Sequence, residues 1–138
     1  MALAQAGEIK GKHILAVEKV ESNNNHLAVG DQGKANGAFQ MWKPAWTDCS
    51  KWLQKNGFKT TPYEKGVNYP QVAHVYCRTY LSLLNSQLRR KLGRNPNAAE
   101  LYAAYNLGVR GFERRDFDLS KTPATTQRAI TKLQGFLK

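Results

Sequence analysis

Residues 68–92 read NYPQVAHVYCRTYLSLLNSQLRRKL, with Gly93 directly behind them. Val72, Tyr76, Thr79, Tyr80 and Leu83 recur at three- and four-residue spacings, so the stretch predicts one long helix with an apolar stripe. Gly93 supplies its C-terminal stop, because glycine takes the left-handed conformation that ends a helix at no steric cost. A periodic run of this length has no strand counterpart, and it commits the chain to a helical architecture.

The flanks read the same way. Downstream, Asn97 precedes Ala98, with Glu100 three positions on, the pattern of a reciprocal N-terminal cap. The helix it opens carries Leu101, Tyr102, Ala104 and Tyr105 and is expected to end near Gly108. Thr122-Pro123 then opens a terminal helix bearing Ile130, Leu133, Phe136 and Leu137. Upstream, Pro44 starts a helix that ends before Gly57, with Trp46, Cys49 and Leu53 on its buried side. Gly7 to Glu21 is also helical in pattern, with Ile9, His13, Ala16, Val17 and Val20 on one face. Ser22 and Asn23-Asn24-Asn25 stop it, since their side chains compete for backbone hydrogen bonds. Residues His26 to Met41 lack helical period and are punctuated by Gly30, Gly33 and Gly37, which predicts turns with at most a small hairpin. The fold class is mainly α, with five helices.

The chain has 138 residues, enough for a single domain with one core, and its apolar share of 41% is that of a folded protein. No apolar run approaches the ~18 residues of a membrane span. The formal charge is +11, from twenty-one Lys and Arg against ten Asp and Glu. Such a balance draws a protein to polyanions: nucleic acid, anionic membranes or acidic cell wall. Ala4-Gln5-Ala6 has the small-x-small pattern that ends a secretory signal, without a long apolar region before it. Cys49 and Cys77 are too few for a disulfide framework; one disulfide or two buried thiols both fit. His13, His26 and His74 show no metal-ligand spacing.

Glu21 has the placement of a general acid. On a wheel of about 100° per residue it falls between Val17 and Ile14, at the edge of the apolar face and in the last helical turn. Partial desolvation and the negative end of the helix dipole both favour its protonated form. Glu18 lies further round the wheel, towards solvent. The Gly33–Met41 segment combines glycines, which let backbone approach a ligand, with Gln40, which can both donate to and accept from sugar hydroxyls or N-acetyl groups. Further on, Ala104-Tyr105-Asn106 places a hydroxyl and an amide at a helix end. Trp42, Trp46, Tyr63 and Tyr102 are candidates for stacking on sugar rings, Trp42 foremost among them.

The order of these elements is more specific than any one of them. Glu21-Ser22, then Gly37-Ala38-Phe39-Gln40-Met41, then Ala104-Tyr105-Asn106 resembles the lytic transglycosylase and goose-type lysozyme superfamily. There a Glu-Ser pair ends the first long helix, a Gly-Leu-Met-Gln-like segment follows, and Ala-Tyr-Asn lies downstream. Gly30-Asp31-Gln32-Gly33 also looks like the Gly-Asp-x-Gly of small bacterial and phage members. This chain departs from the pattern at Ala38-Phe39 and at Leu107, and the segment from Phe112 onward carries no motif of the family.

The resemblance implies a lysozyme-like fold and cleavage of the β-1,4 bond between N-acetylmuramic acid and N-acetylglucosamine, with Glu21 as acid. Ser22, Gly37, Phe39, Gln40, Trp42, Tyr105 and Asn106 would bind substrate. It implies peptidoglycan strands as the partner, no cofactor or metal, and a monomer acting at the cell wall, whether secreted, periplasmic or phage-encoded. A transglycosylase needs no second carboxylate. An inverting hydrolase does, roughly 6.5–9.5 Å from the first, and Asp31 is the natural candidate. Asp31-Gln32-Gly33 is equally good turn chemistry. Two other classes compete: a silent wall-binding module, and a basic nucleic-acid-binding domain using Arg89-Arg90-Lys91 and Arg114-Arg115. The second leaves the ordered Glu21, Gln40 and Tyr105-Asn106 elements unexplained, so nucleic acid is not the expected partner.

Overall fold

A computed structural model describes residues 9–138; the expected Gly7–Glu8 start of the first helix and the Ala4-Gln5-Ala6 motif lie outside the described residues. Among the described residues the chain is mainly helical, with one two-stranded antiparallel hairpin after the first helix. In order these are α1 (Gly11–Ser22), β1 (Val29–Gly30), β2 (Ala35–Asn36), α2 (Lys43–Lys55), α3 (Tyr63–Gly66), α4 (Pro70–Leu92), α5 (Ala98–Glu113) and α6 (Ala124–Phe136). All five expected helices are present. The sixth, α3, is a single turn entered from Pro62 and too short to show a period. No helix among the described residues is long and apolar enough to cross a membrane.

The chain divides into two compact units: Val17–Tyr80, and the described residues up to Ala16 together with Leu81–Lys138. In the first, Trp46, Cys49 and Leu53 form the buried side of α2, as their spacing predicts. The Trp46 ring stacks on Tyr76 with centroids 3.7 Å apart, and its Nε1 donates to the Thr61 carbonyl at 2.8 Å. Tyr76 in turn accepts the Thr61 N–H at 3.0 Å and shares a 2.8 Å hydrogen bond with Ser50. A buried indole and a buried phenol thus each keep a polar partner, without which the burial would cost free energy. Cys49 and Cys77 are buried thiols and form no disulfide; burial pushes the Cys49 thiol far above its ordinary pKa, which favours the protonated thiol.

Two expected apolar faces shift. On α4 the expected Tyr76 and Thr79 are buried, together with Ala73, Cys77, Leu81, Leu84 and Leu88, whereas Val72, Tyr80 and Leu83 are half-buried. A helix this long is covered on more than one side, and a single stripe describes it poorly. On α6, Thr126, Ile130 and Leu133 are buried but Phe136 is 47% exposed, in the last turn.

In the second unit, α5 opens with the expected capping box. The Asn97 side chain accepts from the Glu100 N–H at 2.8 Å, and the Glu100 carboxylate accepts from the Asn97 N–H at 2.9 Å. Glu100 also takes both arms of the Arg94 guanidinium, at 2.9 and 2.7 Å. The helix does not stop at Gly108. That residue takes φ 76°, ψ 156°, which breaks the helical path, and a further turn carries on to Glu113. Glycine tolerates this conformation, so the residue that looked like a stop makes a kink instead.

Glu100 is only 5% exposed, and Arg94 holds its carboxyl below the ordinary pKa. Its charge therefore stabilises the fold above the usual carboxylate pKa, and that contribution is lost as pH falls through the lowered folded value. Glu100→Ala is expected to cost about 2 kcal/mol at pH 7, from the lost cap and the lost charge-assisted bonds. Glu100→Gln, which keeps a capping side chain, should cost less. Thermal melts of both variants from pH 7 down to pH 3 check this, with the gap to wild type narrowing below about pH 4.

Candidate functional site

The site is built where α1 ends. Asn23 and Asn24 adopt φ 53° and 65°, the left-handed region that asparagine tolerates, and turn the chain out of the helix. Glu21 lies in the last turn, half-buried. Glu18 is half-buried as well, more covered than its wheel position suggests, because Ile14, Ala16 and Val17 are all buried and the covered arc of α1 is broad.

Ser22 connects this helix end to the glycine-rich segment. Its hydroxyl lies 2.6 Å from the Ala38 carbonyl oxygen and 3.2 Å from that of Glu18. One hydroxyl hydrogen serves one strong bond, and the shorter contact identifies Ala38 as the acceptor. The Ser22 Oγ accepts the Asn25 N–H at 3.1 Å. Consecutive Cα atoms are about 3.8 Å apart, so Glu21 is held one residue from a bond into the Gly37–Met41 segment.

That segment is pinned from several sides. Gln40 sits at φ 51° and donates both amide hydrogens to backbone, to Ala28 O at 3.1 Å and Gly37 O at 2.9 Å. Its remaining polar atom, Oε1, lies against Gly30, where a side chain would come within 2.5 Å of it. Gln40 thus braces the hairpin, with its donors already spent. Gly37 adopts φ 80°, and a methyl group there would overlap the Val67 carbonyl oxygen. Phe39 is 1% exposed, with its ring edge-on to His74 at 6.1 Å. It is a core side chain, and the expected contact with substrate does not fit its burial.

Asp31 and Gln32, at φ 49° and 59°, form the tight turn between β1 and β2. The Asp31 carboxylate does not bond its own backbone at Gly33, as a turn aspartate would. It accepts the Trp42 indole N–H at 3.1 Å. Trp42 is 42% exposed and Lys34 Nζ lies 5.5 Å from its ring centroid. Lys34 and Trp42, with Asn36, Lys43 and Tyr63, line an open depression of about 340 Å³. The Tyr63 hydroxyl donates to Met41 O at 2.7 Å and accepts from Asn36 Nδ2 at 2.9 Å, which ties α3 to the hairpin.

Of the residues expected at the site, Glu21, Ser22, Asp31, Gly37, Gln40 and Trp42 all belong to the Val17–Tyr80 unit. Tyr105 and Asn106 are carried by α5 in the other unit. There Tyr105 is buried, with its ring 6.3 Å from that of Tyr102, and exposed Asn106 accepts a 2.7 Å hydrogen bond from Thr126. Trp46 and Tyr102 are core aromatics. Sequence reasoning missed the bracing role of Asn36 and Tyr63; they are 27 positions apart, and no local period links them. Among the described residues no group of His, Cys, Asp and Glu side chains could hold a metal ion. No protein-family model matches the chain, and no curated protein matches it.

Proposed function

We propose that this protein cleaves the β-1,4 glycosidic bond between N-acetylmuramic acid and N-acetylglucosamine in peptidoglycan, as a lytic transglycosylase with Glu21 as general acid and then base. The observation that carries the reading is the Ser22 hydroxyl on the Ala38 carbonyl, which fastens the Glu-Ser helix end to the Gly-Ala-Phe-Gln segment. Half-burial of Glu21 at a helix C-terminus suits a carboxyl that must hold a proton. Glu21 donates that proton to the glycosidic oxygen as the C1–O bond breaks. The resulting carboxylate takes the proton of the muramic 6-hydroxyl, whose oxygen closes on C1 to give the anhydro ring.

One observation favours a second reading. The Asp31 carboxylate is exposed and oriented by the Trp42 indole rather than consumed by its own turn, so it is available to activate water in an inverting lysozyme. Asp31→Asn separates the two, because an asparagine oxygen still accepts the indole N–H. Purified cell walls should clear with wild type, and the variant should keep activity within about tenfold as a transglycosylase. Loss of a base would cost on the order of 10²–10⁴-fold and identify the inverting lysozyme. A wild-type protein that clears no walls would overturn both readings.

A further inference from the structure

The depression beside the hairpin is walled by several elements of one unit. Lys34 comes from the hairpin turn, Asn36 from β2, Lys43 from the first turn of α2 and Tyr63 from α3, with Trp42 where the hairpin passes into α2. Its volume of about 340 Å³ lies near the lower end of small-ligand sites, about 300–1,000 Å³, which leaves room for one sugar ring. The Trp42 ring is held in place. Its backbone carbonyl accepts the Trp46 N–H at 3.1 Å, and its indole N–H is taken by Asp31 at 3.1 Å. The one polar group of the ring is thus engaged, and what Trp42 offers a ligand is an apolar face.

The side-chain donors in the walls are spent, with one exception. Asn36 gives its two amide hydrogens to the Gly33 carbonyl at 3.0 Å and the Tyr63 hydroxyl at 2.9 Å. The Tyr63 hydroxyl gives its own hydrogen to Met41 O at 2.7 Å. Lys43 is paired with Glu64 at 3.1 Å. Lys34 is the exception. It is exposed, no carboxylate among the described residues lies within ion-pair distance of it, and its ammonium stands 5.5 Å from the Trp42 ring centroid. A cation over an exposed ring is weakly held, and a carboxylate is a stronger partner for it. The depression therefore combines a stacking face with one uncommitted cation beside it. The ligand that uses both is a sugar ring bearing a carboxylate.

We propose that Lys34 is a specificity-determining residue, which pairs with the lactyl carboxylate of a muramic acid ring stacked on Trp42 and so favours glycan strands freed of their peptides. The choice of muramic acid as the acidic sugar rests on the peptidoglycan reading above. In a peptide-free strand the lactyl group ends in a carboxylate attached close to the ring, within reach of an ammonium that already stands over the stacking face. In a peptide-bearing strand the same carbonyl is an amide, and the remaining carboxylates lie further out along the peptide. Lys34 takes no part in bond cleavage.

The test measures binding by the full-length Glu21→Gln protein, so that strands stay uncut, at one fixed salt concentration. The probes are peptide-free glycan strands with the lactyl carboxylate intact, the same strands with that carboxylate coupled to methylamine, and peptide-bearing strands. The acid strand should bind about fivefold tighter than the amidated one, the upper range for an ion pair in an open site. Adding Lys34→Gln should erase that preference and leave binding to the amidated and peptide-bearing strands within about twofold. Lys34→Arg should keep the preference, and Lys43→Gln, which removes a cation already paired, should keep most of it. Trp42→Ala should weaken both peptide-free strands together. A preference that survives Lys34→Gln would overturn the proposal, as would equal losses on the acid and amidated strands from that variant. So would a failure to bind either strand, or tighter binding of a hexuronate oligomer than of the acid strand. The cleavage reading is judged separately, by wild-type release of fragments from peptide-bearing walls.

Discussion

Glu21→Gln should abolish the release of soluble fragments from peptidoglycan, by at least about 10³-fold, while leaving the melting temperature within about 2 °C of wild type. The size follows from the chemistry. A glycosidic oxygen is a poor leaving group until it is protonated, and a positioned acid contributes on the order of 10²–10⁴-fold. An amide has the same shape and no proton to give. Stability should hold because Glu21 is half-buried in the last turn of α1, where glutamine fits the same volume and has nearly the same helix propensity. Glu18→Gln is the control. It is half-buried too, three residues back on the same helix, and it should keep activity within about threefold. Clearing of a wall suspension and a thermal melt, run on both variants, give the two readouts. An active Glu21→Gln protein would remove Glu21 from the chemistry.

The second large effect is expected at Gly37. Alanine there must adopt φ 80°, a region that costs an L-residue about 1–2 kcal/mol, and its methyl group would overlap the backbone carbonyl of Val67. A backbone atom cannot swing aside as a long side chain can, so the segment itself must move. Together the strain and the overlap should cost about 3 kcal/mol, near the upper end for a point substitution outside a large core cavity. The displacement acts directly on the Gln40 N–H, which donates to the Gly37 carbonyl at 3.1 Å, and on the Gly37 N–H, which bonds Ala28 O at 2.9 Å. The neighbouring Ala38 carbonyl holds Ser22, so wall-clearing activity should fall along with stability. Denaturant unfolding and activity below the transition separate the two losses. A protein of wild-type stability would show that the tight packing on Val67 is not what keeps Gly37 a glycine.

Both predictions draw on features of unequal legibility. The helices were readable because period, caps and stops are local: the Asn97–Glu100 box and the Pro44 start need only a few residues to announce themselves. Glu21 at the margin of an apolar face was readable for the same reason. The Gly37–Val67 contact was not, since thirty positions separate the partners and only the folded chain brings them together. Phe39 was misjudged on similar grounds. The resemblance implied a substrate contact for it, but the side chain is 1% exposed, with its ring edge-on to His74 of α4. The Asp31 side chain bonds the Trp42 indole, eleven positions on, instead of its own turn, and three residues of turn sequence do not reveal that partner. Gly108 carried a real signal that was read one step too far: the helical path breaks there, and then resumes.

The most direct test of the central claim is mass spectrometry of the soluble products after purified peptidoglycan is incubated with the wild-type protein and with Glu21→Gln. The account predicts muropeptides ending in 1,6-anhydro-N-acetylmuramic acid from wild type and none from the variant. It is contradicted if wild type releases no muropeptides, or if the Glu21→Gln protein releases them undiminished.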